Sequence, residues 1–256
     1  MPRIAILSDI HANLEALEAV LADLEKQKAA KIYCLGDIIG YGPSPREVVD
    51  IVQAVAAETV KGNHEDLVIR KPPEGMHPSA LEAAAWTRKK LLPGSAGGGT
   101  AERKKERWEW LKALPLTEDL GDVLLAHGTP ADSFSYVLSA KDALEVFRKE
   151  LGEARVCFYG HTHVPAIWTF DGRQLGFTPV KSKERYGLPA DEQMLVNVGS
   201  VGQPRDHDPR ACYVLVHADK SFEYRRVEYD AEKTARRIYA VPELPNWLGE
   251  RLLCGE

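Results

Sequence analysis

The sequence predicts an α/β domain that carries a helical insertion. Through the first 61 residues, short strand-like runs alternate with amphipathic helical patterns. Residues 67–116 are helical in pattern and broken by glycines, and the remainder of the chain is rich in strands.

Arg3–Leu7 reads as a buried strand, and Leu14–Gln27 as a helix with Leu14, Leu17, Val20, Leu21 and Leu24 on one face. Asn13 stands where an N-cap belongs. A second strand over 31–35 and a second helix over 45–57 follow. Pro45 opens that helix, in a turn where a missing N–H costs nothing. Residues 59–61 make a third short strand. Strand, helix, strand, helix, strand implies a parallel sheet with right-handed crossovers.

In the insertion, helices are expected over 79–92 and 100–114, joined by Gly94-Ser95-Ala96-Gly97-Gly98-Gly99. That run reads as a flexible connection and not a phosphate-binding loop, because no strand precedes it and no GK[ST] follows. Arg103, Lys104, Lys105 and Arg107 are interleaved with Glu102, Glu106 and Glu109, the pattern of a solvated helix face. Strands are expected at Val123–Ala126, 155–159, 194–198, 211–217 and 221–229. Asp171-Gly172 signals a hairpin between 167–170 and 174–177, and Ala218-Asp219-Lys220 turns another. A helix over 230–239 closes the pattern, and the Pro-rich tail reads as a surface segment. No repeat or linker divides the chain. Residues 1–256 are therefore expected to form a single domain, with the insertion at about 67–116 and a C-terminal helix and tail at about 230–256.

At 256 residues the chain can bury one large core or two modest ones, and its 44% apolar and 28% charged content is ordinary for a globular protein. A net charge of −5 argues against tracking along a nucleic-acid backbone, so no extended nucleic-acid binding is expected. It leaves room for a phosphorylated small molecule, since bound metal ions reverse the local sign. Cys34, Cys157, Cys212 and Cys254 are widely separated, with no C-x-x-C spacing. Cys34 and Cys157 lie in apolar runs and read as buried thiols in strands. The apolar run at the N-terminus is too short for a signal peptide. No stretch approaches the ~20 apolar residues of a membrane span, so a cytoplasmic location is the expectation.

The unusual residues fall just beyond the carboxyl ends of expected strands, where open α/β sheets place their ligand crevice. Asp9 and His11 follow the first strand, Gly36-Asp37 the second and Gly62-Asn63-His64-Glu65 the third. His127-Gly128 follows 123–126, and Gly160-His161-Thr162-His163 follows 155–159. Five of the eight histidines sit in these clusters. Any one cluster alone fits a strand-end histidine or ordinary turn chemistry; five in order at matching strand ends do not. On an extended segment, Asp9-x-His11 and His161-x-His163 would each put two ligands on one side. Glycines at 36, 62, 128 and 160 would allow sharp turns and close backbone approach. Imidazole, carboxylate and amide donors without thiolate suit manganese, iron, zinc, cobalt or nickel.

Taken together, these motifs resemble the calcineurin-like metallophosphoesterases, most closely the small bacterial and archaeal phosphodiesterase branch. The likeness runs from Arg3 to about Tyr229. It includes the flanking segments 8–14, 36–42 and 197–206. The resemblance implies a four-layer α/β sandwich, two facing mixed β-sheets flanked by helices, holding two divalent transition-metal ions. One ion would be held by Asp9, His11, Asp37 and His163, and the other by Asp37, Asn63, His127 and His161, with Asp37 as the bridge. It further implies hydrolysis of a phosphodiester, of a small molecule or nucleotide, by a metal-bridging hydroxide. His64 would protonate the leaving oxygen.

The alternatives are a phosphomonoesterase or phosphoprotein phosphatase, a dinucleoside polyphosphate hydrolase, and a scaffold that has lost catalysis. The phosphatase pattern Gly-Asp-x-Val-Asp-Arg-Gly is not matched, because Asp37 is followed by Ile38-Ile39-Gly40-Tyr41-Gly42, and no ligand position is missing. Arg205 is a candidate phosphate-binding cation, the alternative being a surface ion pair with Asp206 or Asp208. Asn13 either touches substrate or caps its helix. His207 reads as a loop residue, and His77 and His217 receive no role. The insertion, following directly on the Asn63-His64 loop, is a candidate lid.

Overall fold

The computed structural model describes residues 3–70, 78–189 and 191–256. β1 (Arg3–Leu7), α1 (Leu14–Gln27), β2 (Ala29–Cys34), α2 (Pro45–Val55) and β3 (Glu58–Thr59) form the expected alternation, with β1, β2 and β3 parallel. α3 (Asn63–Ile69), α4 (Pro78–Leu91) and α5 (Ala101–Ala113) follow. Then come β4 (Thr117–Asp119), β5 (Val123–Ala126), α6 (Ala140–Lys149) and β6 (Val156–Tyr159). β7 (Ala166–Phe170) and β8 (Leu175–Thr178) make the Asp171-Gly172 hairpin. β9 (Arg185–Gly187), β10 (Gln193–Asn197), β11 (Ala211–Val216), β12 (Ser221–Val227), α7 (Ala231–Tyr239) and α8 (Trp247–Cys254) complete the chain.

Two mixed six-stranded sheets result, in the orders β3-β2-β1-β11-β12-β9 and β4-β5-β6-β10-β7-β8. The period-2 alternation of strands builds the layers. In β1, Ala5 and Leu7 join a core shared with α1, α2 and α5, while Ile6 turns to the opposite sheet. In β11, Ala211, Tyr213 and Leu215 face those helices, and Cys212 and Val214 face the second sheet. β6 does the same from the other side: Val156 and Phe158 point between the sheets, and Cys157 and Tyr159 pack under α6 through Val146 and Phe147. Helices, sheet, sheet, helix is the four-layer sandwich. All four cysteines are free thiols, with Cys34, Cys157 and Cys212 buried and Cys254 exposed. Among the described residues no helix is long and apolar enough to cross a membrane.

Several local expectations are corrected. The third strand is Glu58–Thr59 and not 59–61: Val60 N–H still reaches Cys34 O at 3.0 Å, but Lys61 N–H goes to Pro115 O at 2.7 Å. α6 escaped the sequence reading although Ala143, Val146 and Phe147 share a face and Ser139 with Asp142 makes a capping box. The glycine run is pinned: Arg46 donates to Lys90 and Ala96 carbonyls at 2.9 and 2.8 Å, Lys104 to Ser95 at 2.6 Å, and Arg107 to Gly98 at 2.6 Å. Arg107 is buried and bidentate on Asp50, so the basic stripe of α5 is a packed ion-pair network and only partly a solvated face. The tail is no surface segment either. Leu244, Leu248 and Leu252 are buried with Trp86 of α4 and Ile238 of α7. Ala84, Leu91, Trp108, Leu111 and Leu114 sink α4 and α5 into the outer helical layer, so a lid motion of the insertion would have to break that core. His77 lies outside the described residues.

Candidate metal centre and active site

The ligand loops leave the strand ends by turning sharply. Asp9, His11, Asp37, His161 and His163 have φ of +53°, +49°, +49°, +66° and +61°, the left-handed region that costs a non-glycine residue about 1–3 kcal/mol. The pairs Asp9/His11 and His161/His163 therefore converge through left-handed turns and not along an extended segment. Hydrogen bonds between loops hold these conformations: Asp9 N–H to Gly36 O at 3.1 Å, His11 N–H to Asp37 O at 2.8 Å, and Gly160 N–H to His127 O at 2.8 Å. His161 N–H donates to Asp9 Oδ2 at 3.0 Å, which ties the two sheets together at the site. Gly160 is required for that approach, since a Cβ there would lie 2.0 Å from Ser8 Oγ and 2.5 Å from Asp9 Oδ2.

Two groups of donor atoms result, Asp9, His11, Asp37 and His163 in one, and Asp37, His127 and His161 in the other. Within each group the atoms all lie within 4.8 Å of one another. Asn63 joins the second, its Oδ1 standing 3.0 Å from His127 Nε2. Asp37 belongs to both.

The imidazoles are oriented by main-chain carbonyls. Nδ1 of His11, His127 and His163 faces Ile39 O, Leu35 O and Gln203 O at 3.2, 2.8 and 2.6 Å, and Nε2 of His161 faces Phe134 O at 3.1 Å. A carbonyl only accepts, so each of these nitrogens carries the ring hydrogen and the other presents a lone pair inward. His11 Nε2 and His163 Nε2 then meet at 3.1 Å, lone pair to lone pair, and His127 Nε2 stands 3.2 Å from the inward lone pair of His161 Nδ1. Asp9 Oδ1 is buried without a hydrogen-bond donor among the described residues, 3.2 Å from His163 Nε2. Facing lone pairs beside buried carboxylates are the environment that a divalent cation fits.

Protonation follows the same logic. Burial holds His11 and His163 below the ordinary imidazole value and His161 down at about 3. Burial would raise Asp9 and Asp37, but the surrounding imidazoles outweigh it and both stay anionic. His127 is pushed up to about 9, since the charges of Asp37, Asp9 and Glu65 outweigh its burial; a bound cation would take that proton's place.

Glu65, quoted in the motif but given no role by sequence reasoning, organises the floor of the site. Its carboxylate accepts from Asp37 N–H at 2.9 Å, Ile38 N–H at 2.9 Å, Ile39 N–H at 3.3 Å and Gly62 N–H at 2.8 Å. Burial and the charge of Asp37 push it up to about 7. The signal that could have found it is its place three residues after Gly62, where a helix-start acid reaches back to the chain.

His64 is buried above this floor. Its N–H donates to Asp37 Oδ1 at 2.8 Å, its Nδ1 has no partner among the described residues, and its ring lies edge-on to His11 and Tyr41. Burial pushes it down to about 4, the charge of Asp37 offsetting this only in part. Two tyrosines that the motifs did not flag sit alongside. Tyr41 has its ring 4.8 Å from His11, and Tyr136 stacks on His161 at 3.8 Å.

Arg205 does not pair with its acidic neighbours. Asp206 is bound by Arg226, and Asp208 by Arg210 and Arg226. Arg205 Nη2 instead donates to Gln203 Oε1 at 2.7 Å, and its main-chain N–H to His163 O at 3.3 Å. Asn13 caps α1. Its Oδ1 accepts from Ala16 N–H, and its amide donates to Gly202 O and Tyr229 Oη, leaving no donor for a substrate. His207 is exposed near Glu256, and His217 lies against Glu223 away from the centre.

Two facing sheets bring imidazole and carboxylate donors together at their strand ends, in groups that could hold metal ions. Residues 2–221 match the calcineurin-like phosphoesterase superfamily domain, and the chain belongs to that superfamily. It is 35% identical over 259 residues to an uncharacterized protein of Methanocaldococcus jannaschii, covering 98% of each chain. A metallophosphoesterase from Sphaerobacter thermophilus superposes with a TM-score of 0.84 at 34% identity, over 100% of this chain and 99% of that one. A hypothetical protein from Pyrococcus horikoshii OT3, 21% identical, shares the fold at a TM-score of 0.74 over 100% of this chain and 99% of its own.

Proposed function

We propose that the protein hydrolyses a phosphodiester, of a small molecule or nucleotide, with two divalent transition-metal ions. The observation that carries this reading is the pair of inward-facing lone-pair groups sharing Asp37. Asp9, His11, Asp37 and His163 would hold one ion, and Asp37, Asn63, His127 and His161 the other. Such ions, when bound, lower the pKa of water to about 7 and neutralise phosphoryl oxygens.

The chain's own residues do the rest. Glu65 fixes the Asp37 loop through main-chain hydrogen bonds. His64 is buried beside Asp37, and its Nδ1 is uncommitted among the described residues. Neutral on its own near pH 7, it is raised by the anionic substrate and then gives its proton to the departing oxygen. Arg205 supplies a fixed positive charge beside His163. A proton donor serves poorly activated esters, which supports the diester reading. The cationic neighbourhood of Arg205 keeps a phosphomonoesterase or dinucleoside polyphosphate hydrolase as the second reading. A cytoplasmic location accords with four free thiols and the absence of disulfides among the described residues.

The test loads metal-free protein with manganese and compares bis(p-nitrophenyl) phosphate with p-nitrophenyl phosphate. Faster turnover of the diester is expected; preference for the monoester would favour the second reading, and no turnover of either under several metals would refute the enzyme. His64→Ala should keep its bound metal and lose roughly 10²–10⁴-fold in rate on an alkyl ester, with a smaller loss on p-nitrophenyl esters. Full activity in that variant would sink the proton-donor role.

A further inference from the structure

Beside the metal centre lies a cavity of about 280 Å³ bordered by Tyr41, Ala80, Arg205, Trp247 and Arg251. Tyr41 is its shared wall with the centre, since the same ring stands 4.3 Å from His64 and 4.8 Å from His11. Two of its other walls come from α8, the helix that the Pro-rich tail concealed.

The two arginines share a single neutral acceptor. Arg205 Nη2 and Arg251 Nη1 donate to Gln203 Oε1 at 2.7 and 3.2 Å, which places the two donor nitrogens within about 6 Å of each other. Neither has a side-chain carboxylate within 4.0 Å among the described residues, whereas the withdrawn Arg107, Arg225 and Arg226 each pair with an aspartate. Arg205 Nε is buried with no partner among the described residues. Arg251 lies over the Trp247 ring at 5.1 Å, a cation–π contact that sets its orientation, and its Nε donates to the Glu256 main-chain oxygen. Burial and the charge of Arg205 bring it down to about 10. Gln203 carries the link to catalysis, since its main-chain oxygen is the carbonyl that orients His163 at 2.6 Å.

Two guanidinium forks held close together, with no aspartate or glutamate side chain within 4.0 Å among the described residues and only Glu256 near Arg251, match a tetrahedral oxyanion, which accepts several N–H donors at once. The cavity, just below the ~300–1,000 Å³ of drug-sized sites, is large enough for a phosphoryl group. We propose that this pocket is a subsite for a second phosphoryl group of the substrate, attached to the molecule whose scissile phosphate occupies the metal centre. The proposal rests on the phosphoesterase reading and narrows it to substrates bearing two phosphoryl groups.

The test compares manganese-loaded protein on the p-nitrophenyl ester of thymidine 5′-phosphate with and without a 3′-phosphate. The bisphosphate should be favoured at least tenfold in kcat/KM. That ratio should fall towards one in Arg251→Gln and to an intermediate value in Arg251→Lys, which keeps the charge and loses the fork. Hydrolysis of both esters at equal kcat/KM, or a ratio unmoved by Arg251→Gln, overturns the subsite. Should Arg251→Gln fail to fold, Trp247→Leu takes its place, with the same fall in ratio expected and an unmoved ratio again overturning the subsite. A parallel calorimetric titration of metal-free protein with inorganic phosphate separates the two readings. Binding that weakens at least tenfold in Arg251→Gln supports the subsite even where neither ester is hydrolysed, and no phosphate binding by the wild-type protein counts against it.

Discussion

The floor of the site and its rim are built to different standards. On the floor, Asp9, His11, Asp37, Asn63, His127, His161 and His163 are at most 5% exposed, and left-handed turns are locked by hydrogen bonds crossing from loop to loop. On the rim, Tyr136 and Trp247 are 47% and 38% exposed, and Arg205 and Arg251 share one amide oxygen. Floor residues come from loops at the ends of core strands, whose backbones the sheets already fix. Rim residues come from a long loop, a turn and the last helix. The contrast separates the chemistry, which tolerates no displacement, from the choice of substrate, which can drift with surface elements while the chemistry stays in place.

The largest effect should follow from Glu65→Ala, which strikes the floor without replacing a candidate ligand. It leaves the buried N–H groups of Gly62, Asp37, Ile38 and Ile39 without their acceptor. At about 1–3 kcal/mol for each unsatisfied donor, a loss of at least ~4 kcal/mol in stability is expected. Metal affinity should fall with it, because Asp37 is no longer held. Urea denaturation and a manganese titration check both. If the midpoint and affinity match the wild type, the floor is not the rigid body described above.

The same contrast explains what could be read from the sequence. The seven candidate ligand positions that the structure brings together were legible because metal chemistry restricts residue type and because strand ends place those residues in chain order. The layers were legible from alternation, as in Ala211 to Leu215, whose side chains turn to opposite cores. The left-handed turns at Asp9 and His161 were not legible, since they are imposed by contacts between loops distant in sequence, such as His161 N–H on Asp9. Glu65 was quoted without a role for the same reason: its partners at 37, 38 and 39 are long-range. The last helix was missed because Pro242 and Pro245 suggested a breaker. In fact they precede the helix, and its buried face, Leu248 and Leu252, has a partner only once Trp86 arrives from α4.

A smaller effect should appear at Glu15, which ties α1 to α7 and so steadies the element leading into the rim. Its Oε1 accepts from Arg237 at 2.7 Å and Lys233 at 3.3 Å, and its Oε2 from Thr234 at 3.1 Å. Burial alone would raise this carboxyl, but the Arg237 and Lys233 interactions outweigh it and hold it below 4.5. A depressed folded pKa means that the stabilisation is fully present above 4.5 and is lost as pH falls through the folded value. Glu15→Gln should therefore cost about 2 kcal/mol at pH 7, and the gap to wild type should close under acid conditions. Denaturation midpoints of both proteins across that range decide it. A gap that stays constant well below pH 4.5 would show that the tie is not electrostatic.

The smallest change in stability should come from Tyr136→Ala, on the rim itself. Its ring stacks on His161 with planes 27° apart while almost half of it faces solvent. An aromatic contact of this kind contributes about 0.5–1.5 kcal/mol, so the unfolding midpoint should move little. If the rim selects and the floor reacts, the loss should appear as a roughly 2–10-fold rise in KM for bis(p-nitrophenyl) phosphate, with kcat affected far less. A fall in kcat at constant KM would mean that Tyr136 steadies His161 for the chemical step. It would then belong to the floor, despite its exposure.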